Sequence, residues 1–265
     1  MRPVAQPGRV DVLPLPRPSI FSLAPIKNAF GTLGPVWGAV YLLHTMLTRA
    51  TGGRVRLVPY AFMAQPLGTH AFDGVRDDPR TTVALTPADS PLVQQFPRSP
   101  AVVQRRYQAG AQCYAVCVKG QFAGHIWISH ERYDEDEVRC QYRLADTERA
   151  VWDFDVYVAP EFRGGRAVAR LWKGVDAALT RQQVQCSFSR VSRFNPSSLA
   201  AHSRLGVRQT GWASFLVIGP MQLCFASVEP HLHLSWHPGS APTFILERPR
   251  EWRSEAPNAL GRTLK

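Results

Sequence analysis

The clearest alternation of apolar and polar residues lies between residues 151 and 158. Large apolar side chains occupy every second position, and Asp153, Asp155 and Tyr157 stand between them. The apolar residues of this series are Trp152, Phe154, Val156 and Val158. A period of two is typical of a β-strand, and Pro160, which has no N–H to donate, should end it. We therefore predict one strand with Asp153 and Asp155 together on one face.

A helix is predicted immediately after this strand. Residues 163–166 read Arg-Gly-Gly-Arg, and the apolar positions that follow recur at helical spacing: Val168, Leu171, Trp172, Val175 and Leu179. A strand, a glycine turn and a helix start bring unpaired backbone N–H groups and the positive end of a helix dipole together, which favours an anion such as a phosphate. Because most glycine-rich turns are only turns, this signal needs support from elsewhere in the chain.

A second strand and helix follow. The run from Val184 to Val191 is strand-like, and the residues after it have the end signals of a helix. Asn195 is a good N-cap, Pro196 suits the first helical position, and Gly206 suits the position just past the last turn.

The segment from Val151 to Val207 resembles the GNAT superfamily of N-acetyltransferases. The run Val-Ala-Pro-Glu-Phe-Arg-Gly at 158–164 is similar to the family's acyl-CoA pyrophosphate loop, and 195–207 is similar to its second cofactor motif, a helix beside the pantetheine arm. The resemblance implies an α/β (α+β) fold with a mixed, mostly antiparallel central sheet flanked by helices. It also implies direct transfer of an acetyl or longer acyl group from CoA to an amine.

The loop departs from the family pattern in its glycine positions. The usual loop is Arg/Gln-x-x-Gly-x-Gly/Ala, whereas here Arg163 is followed at those places by Arg166 and Val168. Gly164 and Gly165 would supply the close backbone approach one or two residues earlier. Arg166 could contact a phosphate through its planar guanidinium, or it could be a solvated residue of the first helical turn. A non-catalytic binding module with an altered loop is therefore a competing hypothesis.

The resemblance also implies which residues bind the acyl donor. A backbone N–H near the end of the central strand would meet the oxyanion of the tetrahedral intermediate. The residues implied in donor binding are Val156, Tyr157, Val158, Arg163, Gly164, Gly165, Arg166, Ala167, Val168, Asn195 and Ser198.

Three residues are candidates for acid–base catalysis. His202 stands where the family often has a tyrosine that protonates the leaving thiolate, and histidine can act as an acid near neutral pH. A packing or surface role for His202 is also open. An acceptor ammonium needs a base, and the resemblance often places that base on the central strand, so Asp153 and Asp155 are candidates. A structural hydrogen bond is an equally good account of either carboxylate.

The chain divides into four parts by composition and pattern. These are a proline-rich arm at 1–25, a helix-and-strand extension at 26–80, a GNAT-like domain at 81–228, and a C-terminal strand with a charged tail at 229–265. The predicted helix of the extension ends at Ala50 and is shorter than the roughly twenty residues that cross a bilayer, so no transmembrane segment is predicted. We expect it to pack against the domain, and an interfacial membrane position is the alternative. Pro59 should push the following strand to a sheet edge.

Within the domain, the pattern predicts a first strand at 82–86, one or two helices between Pro91 and Gly110, and a hairpin around residues 119–121. The acidic run Asp134–Glu137 is expected to be solvated, although it could attract a cationic acceptor. A further strand at 138–144 exceeds what the simplest version of the fold needs and has no predicted place.

The charge balance favours anionic ligands. The formal net charge is +11, and only four of the 31 basic residues are lysine. Such a surface suits CoA phosphates, and an acidic acyl carrier protein is an alternative donor. Because the arginines are scattered and form no basic cluster, no nucleic-acid partner is predicted.

Cysteine and histidine patterns predict neither disulfides nor a metal. The five cysteines form no C-x-x-C pair and most lie in apolar runs, which indicates reduced thiols and a cytoplasmic protein. His231 and His233 have a spacing that can bind a metal, but no carboxylate or cysteine completes the set, and acyl transfer from a thioester needs no metal. A small-molecule amine is the favoured acceptor. The pattern determines neither its identity, nor the acyl chain length, nor the oligomeric state.

Overall fold

The computed structural model describes residues 24–203 and 206–252. Most of the predicted proline-rich arm and the last part of the charged tail lie outside the described residues. The strands are β1 Val55–Pro66, β2 Thr81–Thr86, β3 Gln112–Val118, β4 Gln121–Ser129, β5 Arg132–Asp134, β6 Gln141–Leu144, β7 Ala150–Val158, β8 Cys186–Ser192, β9 Arg208–Ile218, β10 Met221–Ala226, β11 Leu232–Ser235 and β12 Thr243–Leu246. The helices are α1 Ala24–Ala50, α2 Pro100–Gln108, α3 Ala167–Arg181 and α4 Pro196–Ser203.

Nine strands form one large sheet in the order β11-β10-β9-β1-β8-β7-β4-β3-β2. Among the described strands of this sheet, β7 and β8 are the single parallel pair, and every other neighbouring pair is antiparallel. Helix α3 packs on one face of the sheet, over β2, β3 and β4. The predicted fold class, a mixed and mostly antiparallel sheet flanked by helices, is confirmed.

The predicted edge position of the strand around Pro59 is wrong. Strand β1 lies in the middle of the sheet, between β8 and β9, although it belongs to the extension predicted to precede the domain. Pro59 is tolerated because β8 pairs with β1 only from Tyr60 onward, so the missing N–H faces the end of β8. The carbonyl of Pro59 still accepts a hydrogen bond from Arg193 N at 2.9 Å. The sheet thus joins β1 to the strands of residues 81–228.

A second sheet, in the order β12-β6-β5, packs against the other face of the large sheet. Its strand β6 is the strand predicted at 138–144, for which the sequence indicated no position in the fold. Tyr142 of β6 stacks on Trp152 of β7, with ring centroids 4.3 Å apart, and meets Phe62 of β1 edge-on at 5.6 Å. Burial of these aromatic side chains between two sheets supplies much of the core, because aromatic residues remove the most apolar area from water.

The acidic run is only partly solvated: Asp134 and Asp136 are exposed as predicted, whereas Glu135 and Glu137 are not. The side chain of Glu135 is buried and accepts two hydrogen bonds from the guanidinium of Arg190 on β8. Asp136 pairs with Arg106 at 3.1 Å, and Glu137 accepts a hydrogen bond from the hydroxyl of Tyr60. Tertiary contacts with distant arginines therefore stabilise a run whose local sequence favours water.

Helix α1 contains a kink at Gly34, where φ is 75°. The segment after the kink begins at Pro35 and ends at Ala50, which confirms the predicted helix. Among the described residues, no helix is long and apolar enough to cross a membrane.

Candidate functional site

The strands β7 and β8 separate at the centre of the large sheet. Their parallel pairing covers only residues 150–152 of β7 and 186–188 of β8. Beyond that point β7 stays paired with β4, whereas β8 stays paired with β1 as far as Ser192. A gap therefore opens between two neighbouring parallel strands, at their carboxyl ends.

A β-bulge distorts β7 beside this gap. Trp127 of β4 faces Phe154, but His125, two residues away on β4, faces Tyr157, so β7 contains one extra residue. Asp155 takes up the bulge with φ of 49°. Gly124 on β4 accommodates it, because a Cβ there would collide with the carbonyl oxygen of Tyr157.

The bulge reverses the alternation of side chains along β7, so the prediction that Asp153 and Asp155 share one face is wrong. Asp153 contacts Ser187 on the face that α3 and α4 cover, whereas Asp155 contacts Arg98 and Arg106 on the face that α2 covers. The two carboxylates were predicted to lie on one face of the strand. An extra residue in a strand changes the parity of every position after it, so the sequence period holds only up to the bulge.

The end of β7 presents backbone groups to the gap. Ala159 N donates to Ala123 O at 2.9 Å, so Ala159 faces β4. Because successive residues of a strand point in opposite directions, Val158 directs its N–H and C=O away from β4. Its carbonyl accepts a hydrogen bond from Arg163 Nε at 3.1 Å, which ties the loop to the end of the strand.

The loop after β7 leads directly into α3. Gly164 has φ of 76°, a conformation that favours glycine, and a Cβ there would meet no atom of the described residues within 4 Å. Arg166 is the N-cap of α3, and its side chain makes no capping hydrogen bond. The first turn contains no acidic residue, so the positive end of the helix dipole is not neutralised there. The side chains of Arg163, Arg166 and Val168 are exposed, while Ala167 is buried.

Asp155 is bound by two guanidiniums. Arg98 Nε lies 2.9 Å from its Oδ2, and Arg98 and Arg106 each make a further short contact. Burial alone would raise the pKa of Asp155, but the proximity of His125 and the charges of Arg106 and Arg98 hold it well below its usual range. A carboxylate with a pKa this low is a poor proton acceptor, so Asp155 does not suit the role of the base.

Asp153 is in a different electrostatic environment. It is buried, and Ser187 Oγ donates a hydrogen bond to its Oδ2 at 2.6 Å. Burial raises the pKa of Asp153 to about 6, although the Ser187 hydrogen bond and the charge of nearby His202 oppose the shift. Gln65 of β1 is paired with Ser187 across the sheet, and both polar atoms of its buried side chain lack a partner among the described residues.

His202 lies in the last turn of α4, half-buried. Its Nδ1 lies 2.8 Å from the carbonyl oxygen of Ser198, which can only accept, so Nδ1 carries a hydrogen and Nε2 is left for another partner. Asn195 is the predicted N-cap, and its Oδ1 accepts from Ser198 N at 3.1 Å. The side-chain oxygen of Asn195 and the backbone of Ser198 therefore hold the helix that presents His202.

Asp153 and His202 are close enough for the charge of His202 to lower the pKa of Asp153, whereas Asp155 lies on the opposite face. The side chain of Tyr157 lies on the same face as Asp155, and its ring centroid is 5.6 Å from that of His125. Four residues of the region were missed by the sequence interpretation: Gln65, Arg98, Arg106 and Ser187. No local pattern marks them, because each lies more than 30 residues from its partner in the chain.

A titration prediction arises from Asp153. Because its pKa is higher in the folded protein than the roughly 4 of an unfolded chain, its contribution to stability is present below about pH 4 and is lost as pH rises through 6. We expect the free energy of unfolding of the wild type, relative to Asp153→Asn, to fall by about 2–3 kcal/mol between pH 4 and pH 7. Urea denaturation at a series of pH values measures this. A difference that does not change with pH would contradict the assignment.

No group of three or more histidine, cysteine, aspartate or glutamate side chains in the described part of the chain could hold a metal ion. The five cysteines are all free thiols.

Comparison with known proteins gives no sequence relative but several similar structures. No protein-family model matches the sequence, and no curated protein matches it. A functionally unknown conserved protein from Staphylococcus epidermidis is 10% identical, with 66% of this chain and 67% of that chain covered and a TM-score of 0.45. A tandem GNAT protein from the clavulanic acid biosynthesis pathway is 14% identical, with 65% and 58% covered and a TM-score of 0.43.

A GNAT-family acetyltransferase from Elizabethkingia anophelis, with acetyl-CoA bound, is 12% identical, with 40% and 62% covered and a TM-score of 0.30. This chain therefore spans less than two thirds of the length of the last two proteins. Many of the similar solved structures are GNAT-family acetyltransferases.

Proposed function

We propose that this protein is an N-acyltransferase that moves an acetyl or longer acyl group from acyl-CoA directly to an amine. The observation that carries the proposal is the gap between the parallel strands β7 and β8, with a bulge on one side and the uncapped start of α3 at its mouth. This arrangement offers an anion site and an extended channel lined by backbone N–H groups, which together fit a phosphate-bearing, amide-containing thioester.

The residues of the loop and the first turn of α3 would bind the pyrophosphate. Gly164 leaves open space, the N–H groups of Ala167 and Val168 point along the helix dipole, and the exposed Arg166 adds a guanidinium suited to phosphate oxygens. The end of β7, with Val156 and Val158, and helix α4 would line the pantetheine arm. Acyl-CoA would supply the activated carbonyl and the thiol leaving group.

Residues on the side of the gap that α3 and α4 cover would stabilise the oxyanion and transfer the proton to the thiolate. The N–H of Val158 faces the gap and would stabilise negative charge that develops on the carbonyl oxygen. His202 would donate a proton to the leaving thiolate, and Asp153, whose pKa is raised to about 6, would stabilise the protonated imidazole. The proton that the amine nitrogen loses as the amide forms would pass to solvent water. Asp155 would have a structural role and stabilise the bulge, since its carboxylate is ion-paired with the guanidiniums of Arg98 and Arg106.

The favoured acceptor is a small-molecule amine, bound on the face opposite His202. A second donor is favoured by one observation, the exposure of Arg163 and Arg166 at the mouth of the gap, because an acidic acyl carrier protein would meet positive charge there. Free thiols are typical of a reducing compartment, so we place the protein in the cytoplasm.

Calorimetric titration tests the donor site. Acetyl-CoA, an acyl-CoA of longer chain, and an acylated carrier protein are titrated in turn into the full chain. Micromolar binding of either CoA thioester supports the proposal, and binding of the carrier protein alone supports the second donor. No binding of any of the three would favour a non-catalytic module.

Charge reversal at the start of α3 should weaken donor binding. We expect Arg166→Glu to raise the dissociation constant of acetyl-CoA about tenfold, because it replaces a cation by an anion at the positive end of the helix dipole. Arg181→Glu, an equal change of charge at the exposed last turn of the same helix, is the matched control and should bind as the wild type does. Equal loss of affinity in both variants would mean that net charge alone attracts the ligand.

A further inference from the structure

The strands β9, β10 and β11 present one continuous apolar face to solvent. Their registers align side chains across it, so that Phe225 of β10 lies between Ser214 of β9 and Leu232 of β11. Ten side chains share this face by alternation along the chain, and all but Ser214 are apolar. They are Trp212, Ser214, Leu216, Ile218, Met221, Leu223, Phe225, Leu232, Leu234 and Trp236, which we call the outer apolar face. None of the ten is buried, and six large side chains among them are between 41% and 64% exposed.

The polar residues of β10 and β11 point to the opposite, buried face of the sheet. Gln222 and Ser235 are only 2% and 0% exposed, whereas Leu232 and Trp236 are 60% and 64% exposed. A strand with one side in water normally has the reverse pattern, with its polar residues outside. Apolar residues on the exposed side are typical of a strand whose two faces are both covered. The pattern therefore indicates that another surface covers the outer apolar face.

Composition and area both suit a protein partner. Between residues 209 and 246 the only acidic or basic residue, with histidine neutral, is Glu229, whereas 19% of the whole chain is charged. Few charges and many aromatic residues are the composition of the centre of a protein–protein interface. The six most exposed side chains present on the order of 500 Å² of apolar surface, near the upper end for a single chain. With the other four, the face approaches the roughly 800 Å² that each partner contributes to a stable interface.

Helix α4 stands beside the outer apolar face, on the same side of the sheet. Trp212 is paired with Ala61 across the sheet, and Leu199 of α4 packs against the buried cluster that contains Ala61. Because a helix is about 10 Å thick, a flat bilayer would meet α4 before it reached the face. On the other side the face ends at β11, and no other described strand pairs with the outer edge of β11. The covering surface must therefore be flat over β9 to β11 and must leave room for α4.

We propose that a second copy of this chain covers the outer apolar face with its own outer apolar face, about a two-fold axis that runs between the two sheets and parallel to β10. The sheets then lie face to face about 10 Å apart, as in a β-sandwich, and both faces are buried. Strand β9 of one copy lies over β11 of the other, so each α4 passes beyond the free edge of the facing β11. An axis across the strands would instead bring the two α4 helices together before the faces met.

This arrangement also matches side chains across the interface. At the axis, Phe225 meets Phe225 of the partner subunit. Beside the axis, the small Ser214 leaves room for Leu232 of the partner subunit, because β9 of one copy faces β11 of the other. A large side chain opposite a small one allows two layers to interdigitate without voids.

The mass of the full chain in solution tests the proposal. Light scattering after gel filtration at tens of micromolar protein should give twice the 29.6 kDa of one chain. Phe225→Lys places two ammonium groups against each other at the axis and should raise the dissociation constant of the dimer at least about 100-fold. Leu85→Lys is the matched control: Leu85 is 53% exposed on β2, at the other edge of the sheet, against 48% for Phe225, and this variant should remain dimeric. Far-ultraviolet circular dichroism checks that both variants fold.

Hydroxyl-radical oxidation of the wild type, read by mass spectrometry, shows which face is covered without a disruptive variant. Oxidation of Trp212 and Trp236 should slow several-fold as the protein concentration rises from nanomolar to tens of micromolar. Met46, which is 62% exposed on α1, should react at a constant rate.

Several outcomes would overturn the proposal. One is a wild type with the mass of one chain, whether its outer apolar face is open, is protected by another part of the same chain, or carries the protein to phosphatidylglycerol vesicles in a sedimentation assay. Others are a folded Phe225→Lys variant that stays dimeric, and a wild-type dimer in which Trp212 and Trp236 react as fast as in the monomer.

Discussion

Replacing Asp155 with asparagine is expected to lower the free energy of unfolding by roughly 3–5 kcal/mol. Asp155 accepts hydrogen bonds from Arg98 and Arg106, and the side chain of Arg106 is only 9% exposed. Without the carboxylate, Arg106 remains buried with Asp136 as its one described ionic partner. Asparagine tolerates the left-handed backbone that the bulge imposes, so this variant isolates the loss of charge from backbone strain.

Urea denaturation at pH 7 measures this prediction. The matched control is Asp77→Asn, since Asp77 also makes a short ion pair, 2.7 Å from Lys173 Nζ, but is 89% exposed. Exposed pairs contribute less than about 1 kcal/mol, so the control should stay near the wild type. An Asp155→Asn protein as stable as the control would show that the two arginines find other partners. Because the pKa of Asp155 is lowered in the folded protein, the wild-type advantage should also decrease below about pH 4, where the carboxylate binds a proton in the unfolded chain but not yet in the folded one.

Replacing His202 with alanine is expected to lower the turnover of amine acylation by roughly 10²- to 10⁴-fold, the usual contribution of a positioned acid. The affinity for acetyl-CoA should stay within about a factor of three, because the anion site at the start of α3 lies elsewhere. The two quantities are measured by steady-state kinetics, with the first acceptor found in a screen of small amines, and by calorimetry. A general acid also predicts that the pH profile of turnover loses its basic limb in this variant.

Ser203→Ala is the matched control for this substitution. Ser203 is the next residue of α4, is exposed, and, among the described residues, donates its side-chain hydrogen bond to the carbonyl of Ala200, so it tests the effect of altering the end of the helix. Its turnover should remain near that of the wild type. Equal loss of turnover in both variants would assign His202 to the packing of α4, and unchanged turnover in His202→Ala would exclude it as the acid.

The two substitutions separate the scaffold of the site from its proposed chemistry. The bulge at Asp155 directs that carboxylate to the arginines of the 91–108 segment, while Asp153, two residues earlier, lies with Ser187 and His202. A fold that uses one strand for both purposes needs the extra residue, since regular alternation would put both carboxylates on the same side.

Local sequence determined much of the secondary structure around the site. The central strand, its end at Pro160, the helix after the glycine turn and the N-cap at Asn195 were all predicted and are all present. Each depends on interactions within a few residues: alternation, missing N–H groups and side-chain caps. The predicted donor-binding set, from Val156 to Ser198, lies on these elements and stays a prediction.

Only the tertiary structure decided which residues meet. Three features depend on partners 50 or more residues away in the chain or on the register of a neighbouring strand. They are the position of β1 in the middle of the sheet, the bulge that sends Asp153 and Asp155 to opposite faces, and the burial of Glu135 against Arg190. The sequence by itself determined the local elements and the kind of ligand they favour. Pairing between strands determined the gap, the faces and the pKa values, because backbone register and burial are properties of the assembled sheet.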